Sequence, residues 1–239
     1  MHTATISYAH DDLELEGYVA HRSDAPDGLP VVLVAHAWGG LDAFAQGKAE
    51  ALAALGYIGF AIDMYGKGRR GGTPEANRAL MTPLVDDRRL LRDRIGAAVN
   101  EAKRLPCADP HRIAAIGFCF GGLCVLDLAR AGLHGVRGVA AFHGLLSPPS
   151  IGPQAEMATK VLALHGFDDP MAPPEAVLAF AKEMTQAKAD WQMHMYGGTM
   201  HAFTNPAASA PANGLQYDAV ADRRSWAAMR SFLEECFRE

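Results

Sequence analysis

Ile116-Gly117-Phe118-Cys119-Phe120-Gly121-Gly122 is the stretch that decides the fold. Arg112 to Ile116 predicts a β-strand, and the residues after Gly122 predict a helix reaching about Ala131. Between them lies G-x-C-x-G-G, the spacing of the nucleophile elbow G-x-S-x-G with sulfur in place of the hydroxyl. Such a turn strains the backbone of its central residue, and side chains at Gly117 and Gly121 would clash with the neighbouring strand or helix. The turn also leaves Cys119 at a helix N-terminus, where unpaired N–H groups and the helix dipole favour a thiolate. A free cysteine is more often a small buried apolar residue. Strand, elbow and two glycines together reverse that reading.

Working outward, the flanking segments repeat the same alternation. Thr3 to Tyr8 and Leu13 to Ala20 predict a β-hairpin turning at His10-Asp11-Asp12. Val31 to Ala35 is a continuous apolar run of the kind buried on both faces of a parallel sheet. A helix over Ala43 to Leu55, stopped by Gly56, precedes a strand over Tyr57 to Ile62. One helical region is expected from Pro83 to Arg104, with a loop from Gly66 to Pro83 before it. Strands follow at Val136 to Phe142, Lys160 to His165 and Trp191 to Tyr196. Helices are expected over Pro174 to Ala187 and Ala219 to Phe237. Strands alternating with helices imply βαβ units, hence an α/β protein with a mostly parallel central sheet and helices on both faces. The whole chain, 1–239, reads as one domain.

A nucleophile needs a base, and the base needs an orienting acid. In α/β-hydrolases the order is nucleophile, acid, histidine, on loops at the carboxyl ends of successive strands. Gly166-Phe167-Asp168-Asp169-Pro170-Met171-Ala172-Pro173 supplies the acid after one strand. Asp169 directly precedes Pro170 and is preferred, with Asp168 the alternative. Gly197-Gly198-Thr199-Met200-His201-Ala202-Phe203 supplies the base after the last strand, at His201.

Composition narrows the class. With 49% hydrophobic and 21% charged residues the chain is an ordinary globular protein, and its net charge of −5 offers no basic stripe for nucleic acid. The arginines at 88, 89, 92 and 94 alternate with Asp86, Asp87 and Asp93, as on a solvated helix face. The first residues lack a signal-peptide pattern and no apolar run approaches a membrane span, so a cytoplasmic location is expected. Cys107, Cys119, Cys124 and Cys236 show no zinc-ligand spacing, and neither metal nor organic cofactor is expected.

These segments together resemble the dienelactone hydrolase (carboxymethylenebutenolidase) family, whose likeness runs from the first hairpin to the last helix. Its specific parts are Gly117 to Gly122, Gly166 to Pro173 and His201-Ala202-Phe203. Also similar are His36-Ala37-Trp38-Gly39-Gly40 and Asp63-Met64-Tyr65-Gly66. The resemblance implies an α/β-hydrolase fold, a Cys119-Asp169-His201 triad and an oxyanion hole from backbone N–H groups of Phe120 and the Ala37–Trp38 turn. His36 stands where the family carries a glutamate near the thiol. It is expected to polarise the thiol, bind substrate or satisfy the loop backbone. Ala202 and Asn205 stand where a serine and an arginine hold the substrate carboxylate, and Arg78 matches the other carboxylate-binding arginine or is a surface cation. Tyr65 and His143 face the same edge, His143 as pocket floor or as a structural hydrogen-bonding group, while Phe118 and Trp191 are expected in the core.

The activity implied is hydrolysis of a lactone or activated ester through a thioester. The alternative is a non-enzymatic sensor or ligand-binding member acting through Cys119. The expected partner is a small-molecule ester or lactone, with a homodimer left open and neither nucleic acid nor membrane.

Overall fold

The computed structural model describes residues 1–152 and 155–238. An eight-stranded sheet runs in the order β1-β2-β4-β3-β5-β6-β7-β8. The strands are β1 (His2–His10), β2 (Leu13–His21), β3 (Leu29–Ala35), β4 (Ile58–Ile62), β5 (Ala108–Phe118), β6 (Val136–Phe142), β7 (Lys160–Gly166) and β8 (Trp191–Tyr196). The β1–β2 hairpin is antiparallel and joins the sheet by antiparallel pairing of β2 with β4. From β4 through β8 every pairing is parallel. The sheet is mostly parallel with helices on both faces, as the alternation of segments implied, and the fold is the α/β-hydrolase one that the resemblance implied.

Alternate residues of the parallel strands divide the core in two. Leu33, Phe60, Ala115, Val139 and Val161 pack under α2 (Pro74–Asp86), α3 (Arg88–Ala102), α4 (Phe120–Ala131) and α5 (Pro174–Gln186). Val32, Val34, Ala114, Ile116, Ala140 and Leu162 pack under α1 (Ala43–Ala54) and α6 (Ala219–Arg238). Because both faces are covered, the strands read as apolar runs rather than as an alternation. Full burial of Phe60, Phe118 or Phe142 contributes roughly 1.5–3 kcal/mol each.

The local reading around α2 is corrected. The helical stretch over Pro83 to Arg104 is the end of α2 followed by α3, and half of the expected Gly66 to Pro83 loop is the start of α2. Thr73 caps α2 by accepting from Ala76 N–H, with Pro74 in the first turn. Asp87 leaves helical geometry at φ −114°, ψ 89°, and its carboxylate caps the next helix by accepting from the N–H groups of Arg89 and Leu90. The capping signals were in the sequence, but the unbroken polar run around them reads as one helix. The segment from Asn205 to Gln216 carries a small hairpin, β9 (Ser209–Ala210) and β10 (Leu215–Gln216), around a 3₁₀ turn.

Candidate active site

The parallel strands end along one edge of the sheet, and three connections rise from it. The first is the elbow between β5 and α4. Cys119 has φ 56° and ψ −115° there, a left-handed conformation that a non-glycine residue adopts only under strain. A Cβ on Gly117 would run into the Gly121 carbonyl, and one on Gly121 into the carbonyls of Ala35 and His36. Gly122 adds a third close approach, since a Cβ there would lie 2.6 Å from the Gly144 Cα. Phe120 begins α4 and its N–H therefore has no intrahelical acceptor.

The second connection, after β7, carries Asp168 and Asp169. Asp168 is exposed, whereas Asp169 is buried and its Oδ2 accepts from Nδ1 of His201 at 2.7 Å. The other carboxylate oxygen accepts from Met171 N–H at 2.8 Å. A Cβ on Gly166 would lie 2.5 Å from the Thr199 carbonyl oxygen, so this glycine lets the acid loop and the base loop meet.

The third connection, after β8, carries His201. The β9–β10 hairpin pins it: His201 N–H donates to the Gly214 carbonyl at 2.9 Å and its own carbonyl accepts from Gln216 N–H at 3.1 Å. Gly214 also packs on the Pro170 ring so tightly that a Cβ would collide with it. The β9–β10 segment thus clamps the loops bearing Asp169 and His201 together. The imidazole is 1% exposed, and its Nε2 is buried without a hydrogen-bond partner. Burial works against the imidazolium, yet the negative charge of a Cys119 thiolate and then Asp169 outweigh it and push the pKa up to about 10.

Around this centre the loop from His36 to Gly40 is held by its own backbone and by Tyr65. The Ala37 carbonyl accepts from Gly40 N–H, and the Trp38 carbonyl accepts from the Tyr65 hydroxyl at 2.9 Å. Tyr65 is buried, its ring stacked on Phe120 at 5.7 Å, and burial raises its pKa far above the usual phenol range. Asp63, unremarked in the sequence as a charged group, is wholly buried and accepts from the N–H groups of Glu16, Tyr65 and Gly66. It fixes the turn that presents Tyr65.

Three sequence-level candidates take other places. His36 is 1% exposed; its Nδ1 donates to the Ala37 carbonyl at 2.6 Å and its Nε2 accepts from Met64 N–H at 3.2 Å. Both ring nitrogens are committed to backbone, so a substrate-binding role is corrected to the loop-supporting one; burial also lowers its pKa. Arg78 is exposed on α2, beside Pro74, Glu75 and Thr82, as a surface cation. His143 is buried, with Nδ1 on the Cys119 N–H and Nε2 on the Thr204 hydroxyl, so its hydrogen bonds are structural and no ring nitrogen is left for substrate. Phe118 is in the core, while Trp191 is half-buried against Phe180. Thr204 and His165 were missed: both are buried polar residues near the base, and nothing in local sequence distinguishes them from surface ones.

Among the described residues no three His, Cys, Asp or Glu side chains are arranged to hold a metal ion, and no helix is long and apolar enough to cross a membrane. A groove of about 610 Å³ between the hairpin turn and α3, lined by Asp11, Arg92, Asn100 and Lys103, includes none of Cys119, Asp169 and His201.

Comparisons with known proteins bear on the family and the fold. The sequence model of the dienelactone hydrolase family matches residues 15–237. A solved structure titled m3DLH superposes with a TM-score of 0.94 at 35% identity, covering 99% of this chain and 98% of that one. The dienelactone hydrolase-like promiscuous phosphotriesterase P91 from metagenomic libraries superposes at 0.93 with 33% identity, covering 98% of each chain. An uncharacterized Caenorhabditis elegans protein is 40% identical over 149 residues, 62% of this chain and 94% of its own.

Proposed function

The chain belongs to the dienelactone hydrolase family and is a carboxylic ester hydrolase, and on that premise we propose that Cys119 is its nucleophile, His201 its base and Asp169 the acid that orients the base. The observation that carries this is the buried Asp169–His201 pair, whose free Nε2 adjoins a cysteine on a strained elbow.

In the proposed reaction the Cys119 thiolate attacks the carbonyl carbon, and the carbonyl π electrons move to oxygen. The backbone N–H groups of Phe120 and of the Ala37–Trp38 turn receive that oxyanion. Such a donor is worth about 3–4 kcal/mol in the transition state. Collapse expels the alkoxide or enolate, protonated from His201 Nε2, and leaves a thioester. Water, deprotonated by His201, then attacks the thioester, releasing the acid and restoring the thiolate. Asp169 keeps Nδ1 protonated throughout, so that Nε2 is the atom that exchanges protons. The Tyr65–Trp38 hydrogen bond holds the loop that supplies the second donor.

A thiolate is a better leaving group than an alkoxide, so the tetrahedral intermediate goes forward only when the substrate's leaving group is comparably good. Lactones with enol leaving groups and activated esters meet that condition. The exposed position of Arg78, with Ala202 and Asn205 beside the base, favours an uncharged acyl group over one bearing a carboxylate. The phosphotriesterase name of P91 adds a phosphotriester to the substrates worth assaying, since the same nucleophile and N–H donors would meet a phosphoryl oxygen.

The test is hydrolysis of a dienelactone, p-nitrophenyl acetate, a bulkier neutral lactone and a phosphotriester by the unaltered chain and by Cys119→Ala. Turnover lost in the variant supports the reading, and retained turnover overturns it. A chain with a reactive Cys119 that turns over none of these would fit the thiol sensor instead.

A further inference from the structure

We propose that His143 is a positioning residue that ties the nucleophile's backbone to the segment bearing the base, by bridging Cys119 N–H and the Thr204 hydroxyl; the inference rests on the Cys119–His201 reading above.

The sheet order explains why a bridge is needed. Cys119 follows β5 and His201 follows β8, with β6 and β7 between them. Nothing in the local turn of either residue sets the distance from sulfur to imidazole. His143 follows β6, between the two. Its own N–H donates to the Leu164 carbonyl on β7 at 2.8 Å, which anchors its backbone at φ 39°. Cys119 N–H is shared between the Phe142 carbonyl at 3.1 Å and His143 Nδ1 at 3.2 Å. Because Nδ1 accepts, the ring proton of the neutral imidazole is on Nε2, which donates to Thr204 Oγ1 at 2.8 Å.

The ring is also a spacer. It meets the His201 ring edge-on at 5.0 Å and the Phe203 ring at 5.2 Å, so residues 201, 203 and 204 all rest on one imidazole. That imidazole must stay neutral. A proton on Nδ1 would set a donor against Cys119 N–H and a second cation beside His201. Burial, then the nearby charge of His201, hold its pKa well below the ordinary value, with Lys48 and His165 acting in the same direction. The segment after it is fixed too, since Arg88 and Arg130 donate to the Ser147 carbonyl and Arg130 to that of Leu146.

The test compares Thr204→Val, His143→Phe and His143→Asn with the unaltered chain, each first checked for a cooperative thermal transition. Thr204→Val keeps shape and removes only the hydroxyl. His143→Phe keeps the ring and loses both hydrogen bonds, and His143→Asn retains an acceptor for Cys119 N–H. Two quantities are read: kcat and KM on p-nitrophenyl acetate, and the pH profile of iodoacetamide alkylation at the Cys119 peptide by mass spectrometry. We expect Thr204→Val and His143→Phe to lower kcat by about ten- to a hundredfold with KM nearly unchanged. The alkylation profile should move with kcat, and His143→Asn should recover part of both.

Folded Thr204→Val and His143→Phe chains with unaltered kcat and alkylation profile would overturn the proposal. Failure of both to fold would also overturn it, in favour of a purely structural role. If Cys119→Ala retains turnover, the nucleophile assignment fails by itself, and the alkylation profile still decides whether His143 couples thiol and base.

Discussion

His201 Nδ1 lies 2.7 Å from Asp169 Oδ2, and both side chains are shut off from solvent. In that setting the carboxylate fixes which nitrogen of the imidazole carries the proton. Asp169→Asn presents an amide that can donate to Nδ1 and so stabilises the wrong tautomer. The expected loss in kcat is roughly 10³- to 10⁴-fold. Asp168→Asn alters an exposed residue and should leave kcat within about twofold. Steady-state kinetics of the two variants checks the assignment, and the reverse ranking would refute it.

The imidazole of His201 has its pKa raised from 6.5 to about 10, against the effect of burial, with Cys119 the leading cause and Asp169 supporting it. Cys119→Ala removes that leading cause, so the His201 ring resonances should titrate at a clearly lower pH by NMR. The stability consequence has a definite sign. A raised folded-state pKa stabilises most below about pH 6.5 and the contribution is lost as pH rises through about 10. The melting temperature of the unaltered chain should therefore decline on the alkaline side more steeply than that of Cys119→Ala. Parallel curves would show that thiol and imidazole are not coupled.

Gly121 and Gly47 separate two uses of glycine. A Cβ at Gly121 would collide with the Ala35 carbonyl, and β3 cannot yield without breaking its ladder to β5. Gly121→Ala should lose at least about 3 kcal/mol of stability. Gly47 lies inside α1 with open space around it, so Gly47→Ala should gain about 0.5–1 kcal/mol. Urea unfolding of both variants measures the contrast.

Asp127 is wholly buried and accepts from Arg88 at 2.6 and 2.7 Å and from Arg130 at 3.0 Å, while Arg130 also pairs with Glu183. Removing the shared carboxylate charge leaves two buried cations undercompensated. Asp127→Asn should therefore destabilise by about 3–5 kcal/mol. A loss under about 1 kcal/mol in urea titration would mean that water or neighbouring carbonyls had taken over its role.

Much of this protein was legible in its sequence because the relevant rules are local. The apolar run at 31–35 and the strand-like segments at 57–62 and 112–116 declare the central strands, and the glycines at 117 and 121 declare a turn that tolerates no side chains. The order of Cys119, the Gly166 to Pro173 loop and His201 along the chain pointed to one edge of one sheet. Capping chemistry at Thr73 and Asp87 was equally local but hidden within a polar run, and two helices read as one.

What remained was decided by contacts between residues far apart in the chain. Asp168 and Asp169 share a loop, and only the arrival of the base segment, clamped by Gly214 and Gln216, selects the one that faces His201. His36 could face thiol, substrate or backbone until the Met64 N–H arrived from β4's end to claim its second nitrogen. His143 and Thr204 are 61 residues apart and meet only because β6 lies between the strands that lead to Cys119 and His201. A sequence fixes the periodicity of its segments; which polar atoms are left facing one another follows from strand order, and that order is set by the packing of the whole sheet.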